Sequence, residues 1–283
     1  MKHFIIITNK PKDPALELTG RVRRYLEENG ASCIVCADEM PKAAWDALLL
    51  KEAGRTDAIL VLGGDGTLLR AARDTVGSGI PMLGINIGTL GFLTEVEPAN
   101  LEEALNRLLD GRFCVEERMM LSGAVLREGV RQEENCALND ITITRCGHLR
   151  MLYFQIYVNG KLLKEYHADG IIIATPTGST GYNMSAGGPI VEPGAQLIVL
   201  TPVCPHTLQT RSVILRAEDE ISIRIIGKAG MEETGIEACF DGSRNIELGA
   251  KDEVRVTRST QTASVIKISE ACFLDVLHRK LSE

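Results

Sequence analysis

The stretch Val61-Leu62-Gly63-Gly64-Asp65-Gly66-Thr67-Leu68-Leu69 decides how the fold of this chain is interpreted. Its apolar start predicts a buried strand that runs into three glycines and an aspartate, and a helix is predicted from Thr67. In α/β folds, the end of a parallel strand that leads into a helix N-terminus is where anions bind. Glycine also lets the backbone approach a phosphate closely. The stretch therefore predicts an α/β fold with a phosphate loop formed by Gly63, Gly64, Gly66 and Thr67.

This loop differs from two familiar phosphate-binding motifs. A Walker A loop needs Gly-Lys followed by Ser or Thr, whereas the two Gly-Lys pairs of this chain are followed by Leu162 and Ala229. The dinucleotide-binding fingerprint needs a third glycine three residues after Gly66, and that position is Leu69. The loop is therefore assigned to neither class.

Asp65 is the unusual member of the loop. A carboxylate among phosphates is repelled unless it holds a metal ion or takes a proton from an attacking hydroxyl group. That chemistry suggests phosphoryl transfer more than plain binding. The alternative is a tight strand-to-helix turn in which the aspartate caps the helix. The loop by itself leaves both interpretations open.

The first 110 or so residues, which include this loop, alternate between strand and helix patterns. Strands are predicted over 3–8, 31–37, 57–62 and 81–87, and helices over 14–29, 42–53, 67–76 and 101–109. Asn100 is the expected N-cap of the last of these helices. Alternation of this kind folds as a parallel sheet with helices on its faces. The charged stretch 116–132 indicates a domain boundary nearby.

The second half of the chain has a different pattern. Segments 151–158 and 161–166 flank Asn159-Gly160, a pair that suits the positive φ angles of a type I′ hairpin turn. Further short strands are predicted at 170–174, 197–203, 213–215, 221–226, 238–240 and 254–257. These predict an all-β sandwich, and an amphipathic helix over 270–280 is expected to pack back onto the first domain. The predicted domains are 1–113 with 264–283, and 114–263.

Composition narrows the class of protein. A length of 283 residues suggests about two domains. A net charge of −7 and only 4% aromatic residues argue against nucleic acid and membrane surfaces as partners. Without an apolar run of about 20 residues or an export signal, we expect a cytoplasmic protein with reduced cysteines. Cys33 and Cys36 form the one C-x-x-C and are predicted to be buried strand residues, with no structural metal.

A second polar segment follows the strand predicted at 170–174. Residues 169–189 end in many hydroxyl groups and glycines around one aromatic side chain, Tyr182. Because a solvent loop rarely follows so apolar a strand with such a set, we interpret the segment as a ligand cradle. A third signal, Asn139-Asp140, is weak by itself, because Asn-Asp is ordinary turn chemistry.

Together these segments resemble the NAD kinase family of the bacterial type, over most of the chain. The motifs that carry the resemblance are Gly63 to Thr67, Gly84 to Thr94, Leu138 to Asp140 and Asp169 to Pro189. The first is not specific, since diacylglycerol kinases and some phosphofructokinases look similar there. The resemblance implies an α/β nucleotide domain, a β-rich domain and a returning C-terminal helix. It also implies transfer of the γ-phosphoryl group of ATP to the adenosine ribose 2′-hydroxyl of NAD, giving NADP and ADP.

The resemblance also implies roles for individual residues. Asp65 would be the catalytic carboxylate that orients or deprotonates the 2′-hydroxyl, with Mg²⁺ or another divalent cation accompanying ATP. The residues implied to bind NAD are Asp65, Gly66, Phe92, Asn139, Asp140, Arg150, His167, Asp169, Thr180, Gly181, Tyr182, Asn183, Met184 and Ser185. The family further implies a homodimer or homotetramer, in which we expect the neighbouring subunit to help complete the NAD site.

The chain departs from the family's pattern at several positions. The pattern has Glu where Asp140 stands, Ala where Gly181 stands and often Arg where His167 stands, so Arg150 is the expected carrier of that positive charge. Ser243 replaces a longer polar side chain in the turn Asp241-Gly242-Ser243. None of these departures affects the proposed catalytic carboxylate.

Two other functions stay open on the sequence alone. A lipid kinase of the diacylglycerol type would share Asp65 but should show an apolar entrance for acyl chains, and the polar cradle suits a dinucleotide better. A non-catalytic NADP sensor would use the same cradle, although it would not need Asp65. A turnover assay discriminates the sensor from the enzyme.

Overall fold

The computed structural model describes residues 1–52, 54–88, 91–146, 151–206, 211–226, 235–249 and 251–282. The chain divides into two compact units. Unit 1 comprises residues 1–118 and 262–283, and unit 2 comprises residues 119–261. The domain boundaries expected from the sequence, 113/114 and 263/264, remain predictions.

Unit 1 begins with the alternation of strands and helices that the sequence predicts. Its elements are β1 (His3–Thr8), α1 (Glu17–Glu28), β2 (Ser32–Ala37), α2 (Lys42–Lys51), β3 (Ala58–Gly63), α3 (Asp65–Asp74), β4 (Met82–Asn86), a 3-10 helix (Pro98–Asn100) and α4 (Leu101–Leu109). The strands lie in the order β2-β1-β3-β4, and neighbouring strands are parallel. All six residues of β3 are buried, as expected for a central strand covered on both faces.

Three details of unit 1 differ from the sequence-based expectations. Helix α3 begins at Asp65 instead of Thr67, so the aspartate lies in the first turn. Asn100 occupies the N-cap position of α4 as predicted, but its side chain makes no capping hydrogen bond there. Because β2 is the edge strand of the sheet, Cys33 is only half-buried, whereas Cys36 is buried as predicted.

Unit 2 is built from antiparallel strands. The chain continues with β5 (Cys114–Arg127), β6 (Val130–Ala137), β7 (Asp140–Arg145), β8 (Leu152–Val158), β9 (Lys161–Ala168), β10 (Gly170–Ala174), a 3-10 helix (Thr177–Thr180), α5 (Tyr182–Ser185), β11 (Leu197–Val203), β12 (Val213–Arg216), β13 (Ile221–Ile225), β14 (Ile236–Phe240), β15 (Arg244–Leu248) and β16 (Glu253–Lys267). One sheet has the order β12-β11-β10-β7-β14-β15. In a second sheet, β13 pairs with β16 and β8, and β8 pairs with β9.

Alternation along the strands explains the core of unit 2. Ile141 and Ile143 of β7 and Ile171 and Ile173 of β10 are buried in one apolar cluster. Residues two apart on a strand point to the same face, so each strand contributes every second side chain to this cluster. Phe240 of β14 is fully buried in the same cluster.

The hairpin predicted around Asn159-Gly160 is confirmed, since the two residues have φ angles of 50° and 75°. Sequence reasoning missed β5, β6, β7 and β15. The charged stretch 116–132, which predicts a boundary nearby, lies mostly in β5 and β6, and unit 2 begins within it at Met119. The strand predicted at 254–257 is part of the longer strand β16.

The C-terminal residues complete unit 1. Val265 of β16 pairs in parallel with Met82 of β4, and the final helix is α6 (Phe273–Ser282). Its Arg279 forms an ion pair with Glu97, with Nη1 and Oε1 3.7 Å apart. The returning helix expected from the sequence is therefore present in unit 1. Within the described residues, no helix combines the length and the hydrophobicity needed to cross a membrane.

Candidate active site

The carboxyl ends of the parallel strands bring three loops of unit 1 together. Asn9, which follows β1, donates from its backbone N–H to the carbonyl of Leu62 over 3.0 Å. Its side-chain Nδ2 donates to Thr67 Oγ1 over 3.0 Å and to Asp38 Oδ2 over 2.9 Å. On the other side of β3, Gly63 pairs with Asn86 of β4. The predicted phosphate loop is therefore held from both neighbouring strands.

The Asp65 carboxylate is bound by the loop that follows β4. Oδ2 accepts from the backbone N–H of Phe92 over 2.8 Å, and Oδ1 accepts from the backbone N–H groups of Leu93 and Thr94 over 3.1 Å each. The Thr94 hydroxyl adds a longer bond of 3.4 Å to Oδ1. Four donors thus fix the orientation of a half-buried carboxylate.

The glycines around Asp65 serve different purposes. A Cβ on Gly91 would collide with the Asp65 carboxylate, so glycine is required for the loop to approach it. A Cβ on Gly63 would collide with the buried side chain of Thr67. Gly66, in contrast, is exposed and has open space around it. Of the predicted phosphate loop, the Gly66 end therefore faces solvent, while Gly63 and Thr67 pack inside.

Lys12 is a residue near this loop that the sequence analysis missed. A Cβ on Gly64 would lie 2.9 Å from its Nζ, which also donates to the carbonyl of Ile87 over 3.3 Å. The ammonium group therefore lies over the glycine loop, at the end of the sheet where the N-terminus of α3 begins. Lysine in a polar loop after a strand is too common for its spacing alone to have identified it.

In unit 2, the Asn139-Asp140 pair forms a turn that leads into β7. The backbone carbonyl of Asn139 accepts from the Thr175 N–H over 2.8 Å, and that of Leu138 accepts from the Thr175 hydroxyl over 2.6 Å. A Cβ on Gly178 would collide with the Asn139 backbone. The turn and the segment after β10, two of the motifs singled out in the sequence, are thus in direct contact.

The Asp140 carboxyl group is buried, with only 5% of the residue exposed. Burial, with a further contribution from the negative charge of Asp241, raises the pKa of Asp140 to about 7. Within the described part of the chain, the neighbouring Asn139 Oδ1 is a buried oxygen atom with no hydrogen-bond partner. An unpaired buried acceptor is costly, so a ligand group that donates to it would be stabilised.

The segment 180–185 presents three of its side chains to solvent. Tyr182, Met184 and Ser185 are exposed, with Tyr182 at 45%. Gly181 adjoins the turn, since a Cβ there would lie 3.1 Å from Asn139 Nδ2 and 3.8 Å from Asp140 Oδ2. Burial, followed by the negative charges of Cys204, Asp140 and Asp169, raises the pKa of the Tyr182 hydroxyl. Gly181 and Tyr182 therefore lie beside the Asn139-Asp140 turn, and half-exposed Thr180 directly precedes them.

Asn183 differs from its neighbours because it is fully buried. Its Nδ2 donates to the carbonyls of Ser179 and Pro189, and its Oδ1 accepts from the Thr201 hydroxyl over 2.7 Å. This carboxamide is therefore used to hold the segment against β11.

Asp169 is paired with a residue that sequence analysis did not single out. Arg145 Nη2 lies 3.0 Å from Asp169 Oδ2, and the hydrogen bond to this guanidinium lowers the pKa of Asp169. His167 is exposed, and its ring lies 4.4 Å from that of Tyr153. Arg150, predicted to supply positive charge here, lies outside the described residues. Arg145 places a positive charge beside Asp169.

The structure thus groups the predicted residues in two sets. In unit 1, Asp65 and Phe92 are joined by a hydrogen bond, and Gly66 is exposed in the first turn of α3. In unit 2, the Asn139-Asp140 turn adjoins residues 178–182. Within the described ranges, no group of three or more His, Cys, Asp or Glu side chains is placed to hold a metal ion.

The chain matches two models of known protein domains. The model of the ATP-NAD kinase N-terminal domain matches residues 4–113, and that of the ATP-NAD kinase C-terminal domain matches residues 138–268. The chain belongs to the NAD kinase family. It is therefore a kinase that transfers a phosphoryl group from ATP to the ribose 2′-hydroxyl of NAD.

Individual relatives agree with the assignment to the NAD kinase family. The chain is 41% identical to an NAD kinase of Lachnospira eligens over 99% of this chain and 100% of that protein. It is 40% identical to an NAD kinase of Agathobacter rectalis over 99% of both chains.

Solved structures show the same fold. A yeast NADH kinase complexed with NADH has a TM-score of 0.88 and 25% identity, covering 99% of this chain and 88% of that chain. An NAD kinase from Archaeoglobus fulgidus in complex with ATP has a TM-score of 0.77 and 24% identity, covering 100% and 99%. The fold expected from the sequence is confirmed.

Proposed function

We propose that residues of unit 1 carry out the phosphoryl transfer and that residues of unit 2 bind NAD. The observation that carries this proposal is the orientation of Asp65 by the backbone of residues 92–94. Phosphoryl transfer relies mainly on positioning and charge neutralisation, so a fixed carboxylate beside a glycine loop is the arrangement that the reaction needs.

Asp65 is the proposed acceptor of the proton of the 2′-hydroxyl. Among the hydrogen bonds of the described residues, Oδ1 accepts three and Oδ2 accepts one. Because each carboxylate oxygen has two lone pairs, Oδ2 retains one that can accept a bond from the 2′-hydroxyl. As the hydroxyl oxygen attacks the γ-phosphorus, its proton passes to this oxygen or is held there.

The donor phosphates are proposed to bind at the N-terminus of α3. The first backbone N–H groups of a helix have no partner inside the helix, and the helix dipole favours an anion there. Exposed Gly66 leaves the approach open, and the Lys12 ammonium lies over Gly64. Lys12 would supply a positive charge to the phosphates, and Phe92 would lie beside the adenine of NAD.

A divalent cation, taken as Mg²⁺, is proposed to accompany ATP. Mg²⁺ is usually held by one or two carboxylates together with substrate phosphates and water. Here the ATP phosphates and water would hold the ion, because the free lone pair of Asp65 Oδ2 is assigned to the 2′-hydroxyl and the described ranges contain no group of three or more metal-binding side chains. When bound, the cation neutralises the charge that develops on the phosphates.

The dinucleotide is proposed to bind along the surface formed around the Asn139-Asp140 turn. The unpaired Oδ1 of Asn139 and the buried carboxyl of Asp140 are the groups available for donors on NAD. Gly181, Tyr182, Met184, Ser185 and the Thr180 hydroxyl would line the same surface, with Asn183 holding its backbone in place. His167, Arg150 and the Asp169–Arg145 pair would contact the other half of NAD.

The experiment that tests the whole assignment is a coupled assay with NAD, ATP and Mg²⁺ that measures NADP. We expect NADP to form in amounts equal to ADP, and omission of ATP to stop it. Binding of NAD without any NADP would indicate a sensor, and phosphorylation of diacylglycerol instead of NAD would indicate a lipid kinase.

The protein is further proposed to be a cytoplasmic homodimer or homotetramer whose neighbouring subunit contributes to the NAD site. Ile214 on edge strand β12 and Leu162 on edge strand β9 are more than half exposed, and exposed edges of this kind are commonly covered by a second copy. Sedimentation at micromolar concentration and activity on dilution test this. A 30.8 kDa monomer with full specific activity would exclude a shared site.

A further inference from the structure

The turn between β14 and β15 contains a carboxylate, that of Asp241, which accepts hydrogen bonds from the backbone of the Asn139-Asp140 turn. Asp241 Oδ1 accepts from the backbone N–H groups of Asn139 over 2.7 Å and of Asp140 over 3.2 Å. Its Oδ2 accepts from the Leu138 N–H over 2.9 Å, and its own N–H donates to the Asp140 carbonyl over 3.1 Å. One side chain thus holds three consecutive backbone donors.

The backbone of Asp241 adopts a conformation that is uncommon for a residue other than glycine. Its φ angle is 49°, and that of Gly242 is 64°. Aspartate tolerates the left-handed region better than most residues, although the conformation still favours glycine. A turn with Gly at 241 would be easier to form, so the carboxylate itself accounts for aspartate at this position.

The hydrogen bonds of Asp241 change what the Asn139 and Asp140 side chains can do. Asn and Asp side chains in turns ordinarily bond to nearby backbone N–H groups. Here the Asp241 carboxylate accepts from those N–H groups, and Thr175 donates to the carbonyls of Leu138 and Asn139. With these backbone groups already paired, Asn139 Oδ1 has no hydrogen-bond partner among the residues that the structure describes. The amide and carboxyl groups of the pair are thereby kept available for a ligand.

We propose that Asp241 is a positioning residue for the NAD kinase reaction, which holds the Asn139-Asp140 turn so that both side chains face NAD. This inference rests on the proposed NAD-binding role of the pair. It assigns Asp241 no contact with the substrate, and its effect on the reaction passes through Asn139 and Asp140.

Asp241 also acts on Asp140 through its charge. Beside burial, the negative charge of Asp241 is the further cause that raises the pKa of Asp140 to about 7. The other titratable groups that face Asp140 are Cys239 on β14 and Tyr182 on α5, and the pKa of each is raised, mainly by burial. Removing the charge of Asp241 should therefore lower the pKa of Asp140, a change that a purely structural turn residue would not produce.

The test compares Asp241→Asn and Asp241→Ala with the wild-type chain, measuring kcat and KM for NAD from pH 5.5 to 8.5. Asn keeps one acceptor oxygen but no charge, and Ala keeps neither. We expect Asp241→Ala to raise KM for NAD about tenfold or more with a smaller change in kcat, because the turn loses the three backbone hydrogen bonds that hold Asn139 and Asp140 in place. Asp241→Asn should recover part of that loss, and the midpoint of its pH profile should move to lower pH.

Asp219→Asn is the matched control, because Asp219 also accepts from a backbone N–H, that of Arg216 over 2.9 Å, in another turn of unit 2. It should leave both KM and the pH midpoint unchanged. Thermal unfolding of each variant measures the loss of stability separately. If both Asp241 variants keep the wild-type KM and pH midpoint, or lose only stability and kcat, the positioning role is wrong.

Asp140→Asn separates this inference from the proposed function. If Asp140→Asn raises KM for NAD and the Asp241 variants do not, only the positioning role of Asp241 is overturned. If neither Asp140→Asn nor Asn139→Ala affects KM for NAD, the proposed NAD surface is itself wrong and the inference falls with it.

Discussion

Asp65 in unit 1 and Asp241 in unit 2 make nearly the same set of hydrogen bonds. Each carboxylate accepts from three consecutive backbone N–H groups, those of residues 92–94 and of residues 138–140. Asp65 lies in the first turn of α3 beside glycines and the Lys12 ammonium, whereas Asp241 lies in a β-turn behind a buried carboxyl group. The same bonding pattern therefore serves a proposed catalytic group in one unit and a proposed positioning group in the other.

The comparison shows that backbone hydrogen bonds do not by themselves distinguish a catalytic aspartate from a structural one. The surroundings make the distinction. Asp65 adjoins an exposed glycine and a helix N-terminus that can take phosphates, while Asp241 supports a turn whose side chains are free to bind.

Asp65→Asn should lower kcat by about 10²–10⁴-fold, because the variant loses the group that accepts the 2′-hydroxyl proton. The change is nearly isosteric, so the fold should be retained. NADP formation measured with saturating NAD, ATP and Mg²⁺ checks this prediction.

The control is Asp74→Asn at the other end of α3, which should keep kcat close to the wild-type value. If Asp65→Asn forms NADP at nearly the wild-type rate, Asp65 is only an anchor for the loop after β4. Asp65 and Asp241 would then both be structural.

Asn139→Ala should raise KM for NAD about tenfold and change kcat much less. The reason is that an interaction that is equally strong in the ground state and the transition state affects KM and not kcat. Asp140→Ala should behave in the same way. Asn135→Ala, on the preceding strand β6, is the matched control and should leave KM unchanged. A collapsed kcat with an unchanged KM would assign the pair to chemistry.

Lys12→Met should raise KM for ATP about five- to tenfold while KM for NAD stays nearly constant. The ammonium group is exposed, so solvent and salt screen its attraction for phosphates and keep the effect moderate. Lys10→Met, two residues earlier and also exposed, is the control. Equal effects of the two substitutions on KM for ATP would mean that only the general positive charge of this loop matters.

The titration of Asp140 should make NAD binding depend on pH. The pKa of Asp140 is about 7, raised above its ordinary value by burial and then by Asp241. If the ionised carboxylate accepts hydrogen bonds from NAD, kcat/KM for NAD should rise up to tenfold per unit below pH 7 and level off above it. Asp140→Asn should remove this step. A wild-type profile without a step near pH 7 would mean that Asp140 binds NAD in its neutral form or not at all.

Much of unit 1 could be predicted from the sequence because its signals are local. Apolar runs such as 58–62 and glycines after helices mark buried strands and their connections. The charged strands β5 and β6 were missed because their charges are balanced by distant partners, as in the pair of Glu133 with Arg244. A sequence window of a few residues does not contain such partners.

In the candidate site too, the residues that could be predicted are those with local signals. Asp65, Asn139 and Asp140 lie in motifs whose residues are adjacent along the chain, so the resemblance to a family could identify them. Asp241 and Arg145 act on residues that are 101 and 24 positions away. Their roles depend on strand pairing, which brings the β14–β15 turn to the start of β7. Only the structure shows these contacts.

The division of work between the two units is tested most directly by measuring NAD binding in the absence of ATP. Calorimetric titration of NAD into Asp65→Asn and into Asn139→Ala gives the two values of Kd side by side. The account predicts a Kd for Asp65→Asn within about threefold of wild type and a Kd for Asn139→Ala weaker by about tenfold, corresponding to about 1.4 kcal/mol. Weak binding by Asp65→Asn together with wild-type binding by Asn139→Ala would contradict it.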